Sequence, residues 1–190
     1  GIGAYIKRYC IGFLIQNELE QIAKFNKNSP RPIVSIVGGS KISDKIIMLE
    51  KLLSLSDQVL IGGGMALTFL AANGVNVGAS MVEQEMFPQA KALYLKYKNK
   101  IILPIDALVS TRFENTIPIK VDFEKIQPNQ MVLDIGPKSL KKYLKIIEYG
   151  QTLFWNGPTG VFEFDNYNIS TSGIAKAIAK QTKECSAFSL

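Results

Sequence analysis

The segment "RPIVSIVGGSKISDKI", residues 31–46, combines a short apolar run, a pair of glycines and a stretch with helical periodicity. Its apolar run is rich in β-branched residues and stops at Gly38 and Gly39, which is typical of a buried strand followed by a turn. After the turn, apolar residues recur at offsets of four, three and four, which predicts one buried helix face. These residues are Ile42, Ile46, Leu49 and Leu53. The segment therefore predicts a strand, a tight turn and a helix in succession.

The same succession recurs along the chain. Further strands are predicted in "QVLIGGG", "KIILPIDALVS", "QMVLDIGPKS", "QTLFWNGP" and "SAFSL", with a short one near "TIPIKVDF". Helices are predicted in "MALTFLAANG", from Glu85 to Lys98, in "LKKYLKIIE" and in "SGIAKAIAKQT". Alternating strands and helices favour parallel strands joined by right-handed crossovers. The sequence thus predicts an α/β fold: a three-layer helix-sheet-helix, Rossmann-like domain with a mainly parallel sheet.

The opening stretch "CIGFLIQNELEQIAKF" is amphipathic and predicts a helix ahead of this domain. We expect residues 1–26 to form an inter-domain linker region with that helix, and residues 27–190 to form the domain. Because the chain closes on the short predicted strand "SAFSL", we expect the domain to be incomplete, with its C-terminal end truncated.

The amino-acid composition argues against several kinds of site and partner. The 190 residues contain no histidine, which excludes histidine-based triads and histidine metal sites. Lysine and arginine outnumber the acidic residues by 22 to 16, but the basic residues are scattered rather than clustered, so we expect no nucleic-acid partner. No apolar run reaches the roughly 20 residues that span a bilayer, so we expect no membrane partner. Cys10 and Cys185 stand far apart without a CxxC motif, which fits a reducing, cytoplasmic location.

Glycine-containing turns follow four of the predicted strands: "GGSK", "GGGM", "DIGPK" and "WNGPTG". In an open parallel sheet, ligands bind beyond the carboxyl ends of the strands, where glycine allows close approach and helix N-termini present N–H groups to anions. Phosphate is the ligand that this arrangement favours. Ser40 is expected to cap the first helix, and Lys41 and Lys45, one turn apart, to lie on nearly the same helical face.

A purely structural interpretation stays open for each of these motifs. Glycines after strands are commonly turns, paired lysines on a helix are commonly solvated, and "GGGMALT" fits neither the dinucleotide fingerprint nor the P-loop. Asp134 could cap a turn before Pro137, and Glu83 and Glu85 are expected to be surface charges. The presence of four such turns in one domain favours the anion site.

The segments "RPIVSIVGGSKISDKI", "QVLIGGGMALTFLAANGVNVGAS", "MVLDIGPKS" and "TLFWNGPTGVFE" together resemble the nucleotide-binding half of the phosphoglycerate kinase family. The stretch "YIKRYCIGFLIQNELEQI" resembles the passage into the helix that links the two halves of such enzymes. The resemblance implies reversible phosphoryl transfer from 1,3-bisphosphoglycerate to ADP, which gives 3-phosphoglycerate and ATP in glycolysis. Such transfer needs positioning and charge neutralisation more than covalent help from the protein.

The resemblance also implies roles for individual residues. Lys41 and Lys45 correspond to catalytic lysines at the phosphate chain and the transferring group. The nucleotide-binding residues that it implies are Gly39, Ser40 and Asn156 near the phosphates, Gly63 and Gly64 beside the adenine, Met81 and Leu133 as apolar walls, Pro158 and Val161 in the nucleoside pocket, and Glu163 at the ribose hydroxyls. Val132 stands where the family often has glycine, and its side chain is expected to crowd the adenine edge.

The chain departs from the family pattern at its ends. It stops before the glycine-rich turn whose aspartate holds Mg²⁺ for ADP or ATP, and it lacks the domain that binds 3-phosphoglycerate, so no metal ligand is expected within it and the chain alone is expected to be inactive. The complete protein is expected to be a monomer. Two alternatives remain: a non-catalytic nucleotide-binding or interaction module derived from this domain, and, less favoured, a basic nucleic-acid-binding protein.

Overall fold

The structure is a computed structural model that describes Tyr5 and residues 10–190. Its strands are β1 (Ile33–Val37), β2 (Gln58–Ile61), β3 (Ile101–Ile102), β4 (Asp106–Ser110), β5 (Ile119–Asp122), β6 (Met131–Ile135), β7 (Thr152–Asn156) and β8 (Phe188–Ser189). Its α-helices are α1 (Phe13–Lys24), α2 (Ile46–Leu55), α3 (Gly63–Ala72), α4 (Phe87–Lys96), α5 (Pro137–Ile147) and α6 (Ile169–Cys185). Short 3₁₀ turns lie at Gln84–Met86, Phe123–Lys125 and Asp165–Tyr167.

The central sheet has five parallel strands in the order β3-β2-β1-β7-β8. Every residue of β1 is buried, because helices cover both faces of the sheet. One cluster packs α2, α3 and α4 against the sheet, and the other packs α5 and α6. The predicted α/β class with a mainly parallel sheet is therefore confirmed.

A second sheet, with three antiparallel strands in the order β5-β4-β6, was not predicted. The prediction of one strand over "KIILPIDALVS" is wrong: the chain leaves the parallel sheet after β3 and enters the second sheet at β4. Pro104 lies in the interruption, where it can donate no ladder hydrogen bond. The segment "QMVLDIGPKS" also belongs to this second sheet, so its glycine turn is not at the carboxyl edge of the parallel sheet.

Helix α2 begins at Ile46, with Lys45 rather than the expected Ser40 at its N-cap position, so two predictions about this region are wrong. Residues 40–45 form turns, the first α2 hydrogen bond runs from Leu49 N–H to the Lys45 carbonyl, and Ser40 caps no helix. Lys41 and Lys45 consequently do not share a helical face. The cause lies in Glu83, whose carboxylate accepts the N–H groups of Ile42 and Ser43 and so holds them outside the helix.

Helix α1 is present as predicted, and none of its residues is buried. The division of the chain at residues 26 and 27 stays a prediction. Within the part of the chain that the structure describes, no helix combines the length and the apolar character needed to cross a membrane.

Candidate functional site: a cavity between glycine turns and the second sheet

A cavity of about 700 Å³ lies between the carboxyl ends of β1, β2 and β7 and strand β6. All but three of the predicted site residues line it. Those that do are Gly39, Ser40, Gly63, Gly64, Met81, Leu133, Pro158, Val161 and Glu163. Lys41, Lys45 and Asn156 do not line the cavity. The volume is within the range of small-molecule sites.

The turn after β7 holds the other two glycine turns in place. The N–H of Gly39 donates to the Pro158 carbonyl at 2.9 Å, and the N–H of Gly63 donates to the Thr159 carbonyl at 3.0 Å. Gly63 has φ +64°, and a Cβ there would lie 2.6 Å from the Gly39 carbonyl oxygen. Glycine is therefore required where the turns after β1 and β2 meet. These contacts fix the backbone wall of the cavity without any side chain.

Lys45 lies at the junction of the turns after β1 and β7. Its Nζ donates to the Gly38 carbonyl at 2.9 Å. Burial lowers the pKa of the Lys45 ammonium group, while the neighbouring Asp44 acts to raise it. A Cβ added at Gly39 would come within 3.2 Å of the same Nζ, so the cation lies against a glycine that lines the cavity. Lys45 thus places a positive charge beside the phosphate end expected from the sequence.

Lys41 is exposed, and Glu83 fixes the backbone beside it. The Glu83 carboxylate accepts the N–H of Ile42 at 2.5 Å, the N–H of Ser43 at 3.2 Å and the Ser43 hydroxyl at 2.5 Å. Partial burial acts to raise the pKa of Glu83, but these hydrogen bonds and the charge of Lys41 lower it below its usual value. Glu83, which the sequence suggested only as a surface charge, therefore ties the loop that carries both lysines to the segment before α4.

Asn156 contacts the turn after β1 through its backbone. It ends β7, and its carbonyl accepts the N–H of Gly38 at 2.9 Å, which joins β7 to the turn after β1. The expected contact of Asn156 with phosphate stays a prediction.

The opposite wall is apolar and comes from the second sheet and its loops. Leu133 is buried, while Met81 is 81% exposed at the edge of the cavity. Val132 lines the same wall, and its N–H donates to Ser80 Oγ at 2.9 Å. The effect of its side chain on a bound adenine stays a prediction.

Sequence reasoning missed two aromatic residues of this wall, Phe113 and Phe123. Phe113 is 62% exposed and packs on Phe164, with 5.2 Å between the ring centroids. Both rings come from segments around β4 and β5 that show no glycine-turn motif. Phe123 ends the short strand predicted near "TIPIKVDF", and Phe113 stands in a polar stretch, so only their aromatic character could have indicated them.

Two acidic residues line the cavity, and their environments differ. Glu163 is exposed, where it can accept hydrogen bonds from a ligand. Asp134 is only 1% exposed, and burial raises its pKa to about 6, although hydrogen bonds from Ser170 and Ile135 act to lower it. Asp134 therefore anchors the start of α6 rather than the turn before Pro137.

Comparison with known proteins shows the family of the chain. The family model described as phosphoglycerate kinase matches residues 1–190. The chain belongs to the phosphoglycerate kinase family. Among curated relatives named phosphoglycerate kinase, that of Streptococcus thermophilus is 43% identical over 182 residues, which cover 95% of this chain and 46% of the relative. That of Spiroplasma citri is 44% identical over 182 residues, which cover 95% of this chain and 44% of the relative.

Solved phosphoglycerate kinase structures show the same fold. The structure from Coxiella burnetii superimposes with a TM-score of 0.88 at 36% identity, covering 100% of this chain and 49% of that chain. The structure from Pyrococcus horikoshii gives a TM-score of 0.77 at 25% identity, covering 88% of this chain and 44% of that chain. The chain therefore spans about half the length of the phosphoglycerate kinases it matches.

The described residues do not build a magnesium site of the kind implied for a phosphoglycerate kinase. Among them, no group of three or more acidic, cysteine or histidine side chains is gathered where it could hold a metal ion. The acidic residues of the cavity are Asp134 and Glu163, and both oxygens of Asp134 are already accepting hydrogen bonds from Ser170 and Ile135.

Proposed function

We propose that this chain forms the nucleotide-binding part of a phosphoglycerate kinase, which transfers a phosphoryl group reversibly from 1,3-bisphosphoglycerate to ADP in glycolysis. The observation that carries the proposal is the two-sided cavity. An apolar wall at Val132 and Leu133 faces a backbone wall of glycine turns, with the Lys45 ammonium group at its margin. An adenine nucleotide has the same division, because its base is apolar and flat whereas its phosphates are anionic.

The walls suggest one orientation for ADP. The base packs between Leu133, Pro158 and Val161, and the ribose hydroxyls donate to Glu163, which is exposed at the rim. The phosphates then extend toward Gly39 and the N-terminus of α3 at Gly63, where the helix dipole favours an anion. Ser40 and Gly64 line the cavity at the same end.

The reaction requires the protein to neutralise charge and to position the reactants. A terminal phosphate oxygen of ADP attacks the phosphorus of the acyl phosphate; a new P–O bond forms as the bond to the carboxyl oxygen breaks, and the electron pair remains on the carboxylate. No proton is transferred, so the step requires no general base. Lys45 and Lys41 are proposed to neutralise charge on the transferring group and the phosphate chain, and Asn156 to contact the phosphates.

Family membership supports a proposal for the remaining parts of the reaction. Because the chain spans about half of its relatives, we propose that 3-phosphoglycerate and the Mg²⁺ that accompanies the nucleotide are bound by residues other than those described here. We further infer a monomeric protein that acts in the cytoplasm, with neither nucleic acid nor membrane as a partner.

The proposal is tested by exchanging the 182 matched residues of the Streptococcus thermophilus relative for those of this chain and assaying ATP formation. We expect turnover, and we expect Lys45→Ala to lower kcat about a hundredfold or more with a much smaller change in the KM for ADP. Lys45→Arg is the charge-retaining variant, and Lys142→Ala, at an exposed position on α5, is the control.

A folded hybrid that binds ADP but shows no turnover would favour a non-catalytic nucleotide-binding module instead. An unchanged kcat in Lys45→Ala would remove Lys45 from the catalytic assignment. A folded hybrid that fails to bind ADP would contradict the proposed function as a whole.

A further inference from the structure

Asp134 joins the two walls of the cavity through a chain of buried hydrogen bonds. It ends the apolar wall on β6, and its Oδ1 accepts the N–H of Ile135 at 2.8 Å and the hydroxyl of Ser170, while its Oδ2 accepts the N–H of Ser170 at 3.1 Å. The Ser170 hydroxyl oxygen lies 2.6 Å from the Thr159 hydroxyl oxygen in the turn after β7. Thr159 in turn accepts the N–H of Gly63 through its carbonyl.

The backbone packs tightly around this carboxylate. A side chain at Gly160 would collide with Asp134 Oδ1, so the turn after β7 lies directly on the carboxyl group. One residue on, the N–H of Val161 donates to the Leu133 carbonyl at 2.7 Å. This hydrogen bond, directly beside Asp134, therefore helps to set the distance between Leu133 and Pro158, the two residues proposed to contact the base.

We propose that Asp134 is a positioning residue whose ionised carboxylate, acting through Ser170 and Thr159, holds the two walls of the cavity at the separation that an adenine nucleotide requires. This inference rests on the proposed function, because it assumes that the cavity binds such a nucleotide. Asp134 touches no reacting atom in this account. It acts on the ligand through the turn that carries Pro158 and Val161.

The protonation state of Asp134 should change the hydrogen bonds of this network. Above pH about 6 the carboxylate accepts all three donors, whereas below it one oxygen carries a proton that competes with the donors from Ser170. The surrounding elements carry Asp106 on β4, Glu163 and Asp165 after the turn, Tyr167 before α6, and three lysines, Glu184 and Cys185 on α6. None of these titratable side chains hydrogen-bonds to Asp134, whose partners are Ile135 and Ser170. Helix α3 carries no charged residue. Nucleotide affinity is therefore expected to fall as the pH decreases through about 6.

Fold stability should move in the opposite direction. Because burial raises the folded-state pKa of Asp134 from 3.8 to about 6, its contribution to stability is present at pH values below the unfolded-state pKa. That contribution is lost as the pH rises through about 6. If the carboxylate had only a structural role, the affinity for ADP would change with pH in the same direction as the free energy of unfolding. If the carboxylate positions the cavity walls, the affinity for ADP rises with pH through about 6 while the free energy of unfolding declines.

The chain supplies a matched control in Asp106. This buried carboxylate also anchors the start of a helix: it accepts the N–H of Lys138 at 2.9 Å, the N–H of Ser139 at 2.7 Å and the hydroxyl of Ser139 at 2.5 Å. Neither Asp106 nor Ser139 lines the cavity. Asp106→Asn therefore removes the same kind of helix anchor without touching the proposed nucleotide walls.

The experiment measures ADP affinity by calorimetry between about pH 5 and pH 8, with urea unfolding at each pH, for the 190-residue chain and for Asp134→Asn, Asp106→Asn and Ser170→Ala. We expect the ratio of the Asp134→Asn Kd to the wild-type Kd to change about three- to tenfold across pH 6, as a pKa change of half to one unit on binding would give. Titration of the ADP phosphates cancels in this ratio. Asp106→Asn is expected to follow the wild-type profile.

Ser170→Ala provides an independent test if Asp134→Asn does not fold. It removes one donor to the carboxylate, so the inflection in affinity should move to higher pH. The role of Asp134 would be overturned if the inflection in Ser170→Ala stayed at the wild-type pH. It would also be overturned if the affinity profiles of wild type and Asp134→Asn ran parallel. Either result would leave the proposed function standing. A folded wild-type chain that binds no ADP at any pH would overturn both.

Discussion

The two sides of the cavity are built by different means. The turn side, made of the glycine turns after β1, β2 and β7, is fixed by backbone hydrogen bonds such as Gly39 to Pro158 and Gly63 to Thr159. The apolar side, made of Met81, Phe113, Phe123 and residues 131–133, is formed by side chains of which several are exposed. The turn side has no freedom to adjust because backbone meets backbone, whereas an apolar side chain can be replaced by another of similar volume.

Gly63→Ala should have the largest effect. It places a Cβ at φ +64° and 2.6 Å from the Gly39 carbonyl oxygen, so the free energy of unfolding should fall by about 3 kcal/mol or more and ADP binding should be lost. Gly74→Ala at the other end of α3 is the control, since its φ is +82° but nothing lies within 4 Å of the added Cβ. It should cost only the backbone strain, about 1 kcal/mol. Equal losses in urea unfolding would show that the close contact between Gly63 and Gly39 adds nothing to the backbone strain, which would contradict the rigidity assigned to the turn side.

Leu133→Ala should have the next largest effect. Leu133 is buried within the apolar side, but it faces an open cavity, so the expected loss of stability is about 2 kcal/mol, at the low end for such truncations. The affinity for adenosine, which carries no phosphate, should fall with it. Leu133→Met, which conserves volume, should restore most of both quantities. A truncation that leaves adenosine binding unchanged would contradict the placement of the base.

Glu83→Gln should have a moderate effect on the turn side. It removes the charge that the N–H groups of Ile42 and Ser43 are bonded to, and we expect a loss of about 1 kcal/mol at neutral pH. Because the folded-state pKa of Glu83 is lowered, its contribution is present above the unfolded-state pKa of 4.5 and is lost as the pH falls through the folded-state pKa. Unfolding curves should therefore converge for wild type and Glu83→Gln in acid. A constant difference at all pH values would contradict this assignment.

Met81→Ala should have the smallest effect. The side chain is 81% exposed at the edge of the apolar side, so stability should change by less than about 0.5 kcal/mol, with a weak loss of ADP affinity. A loss of stability comparable to that of Leu133→Ala would show that the rim of the cavity is as constrained as its floor.

The difference between the turn side and the apolar side also explains which parts of the site could be predicted from the sequence. The turn side follows from local patterns, because β1, β2 and β7 are each followed at once by glycine. The individual site residues were implied by the family resemblance, and all of them except Lys41, Lys45 and Asn156 line the cavity. The apolar side depends on pairing between β4, β5 and β6, which are separated along the chain. Pro104 interrupts an apolar run that otherwise predicts one strand. Glu83 acts over about 40 residues, which no local pattern reveals.

The most direct test of the central claim is a nuclear magnetic resonance titration of the ¹⁵N-labelled chain with ADP, which reports backbone amides from both sides at once. We expect saturable shifts of the Gly39 and Gly63 amides together with those of Val132 and Leu133, at a single dissociation constant. Adenosine should shift the Val132 and Leu133 amides while leaving Gly39 nearly unchanged. A folded chain whose amides do not shift, or shift only away from the cavity, would contradict the claim that this cavity is a nucleotide site.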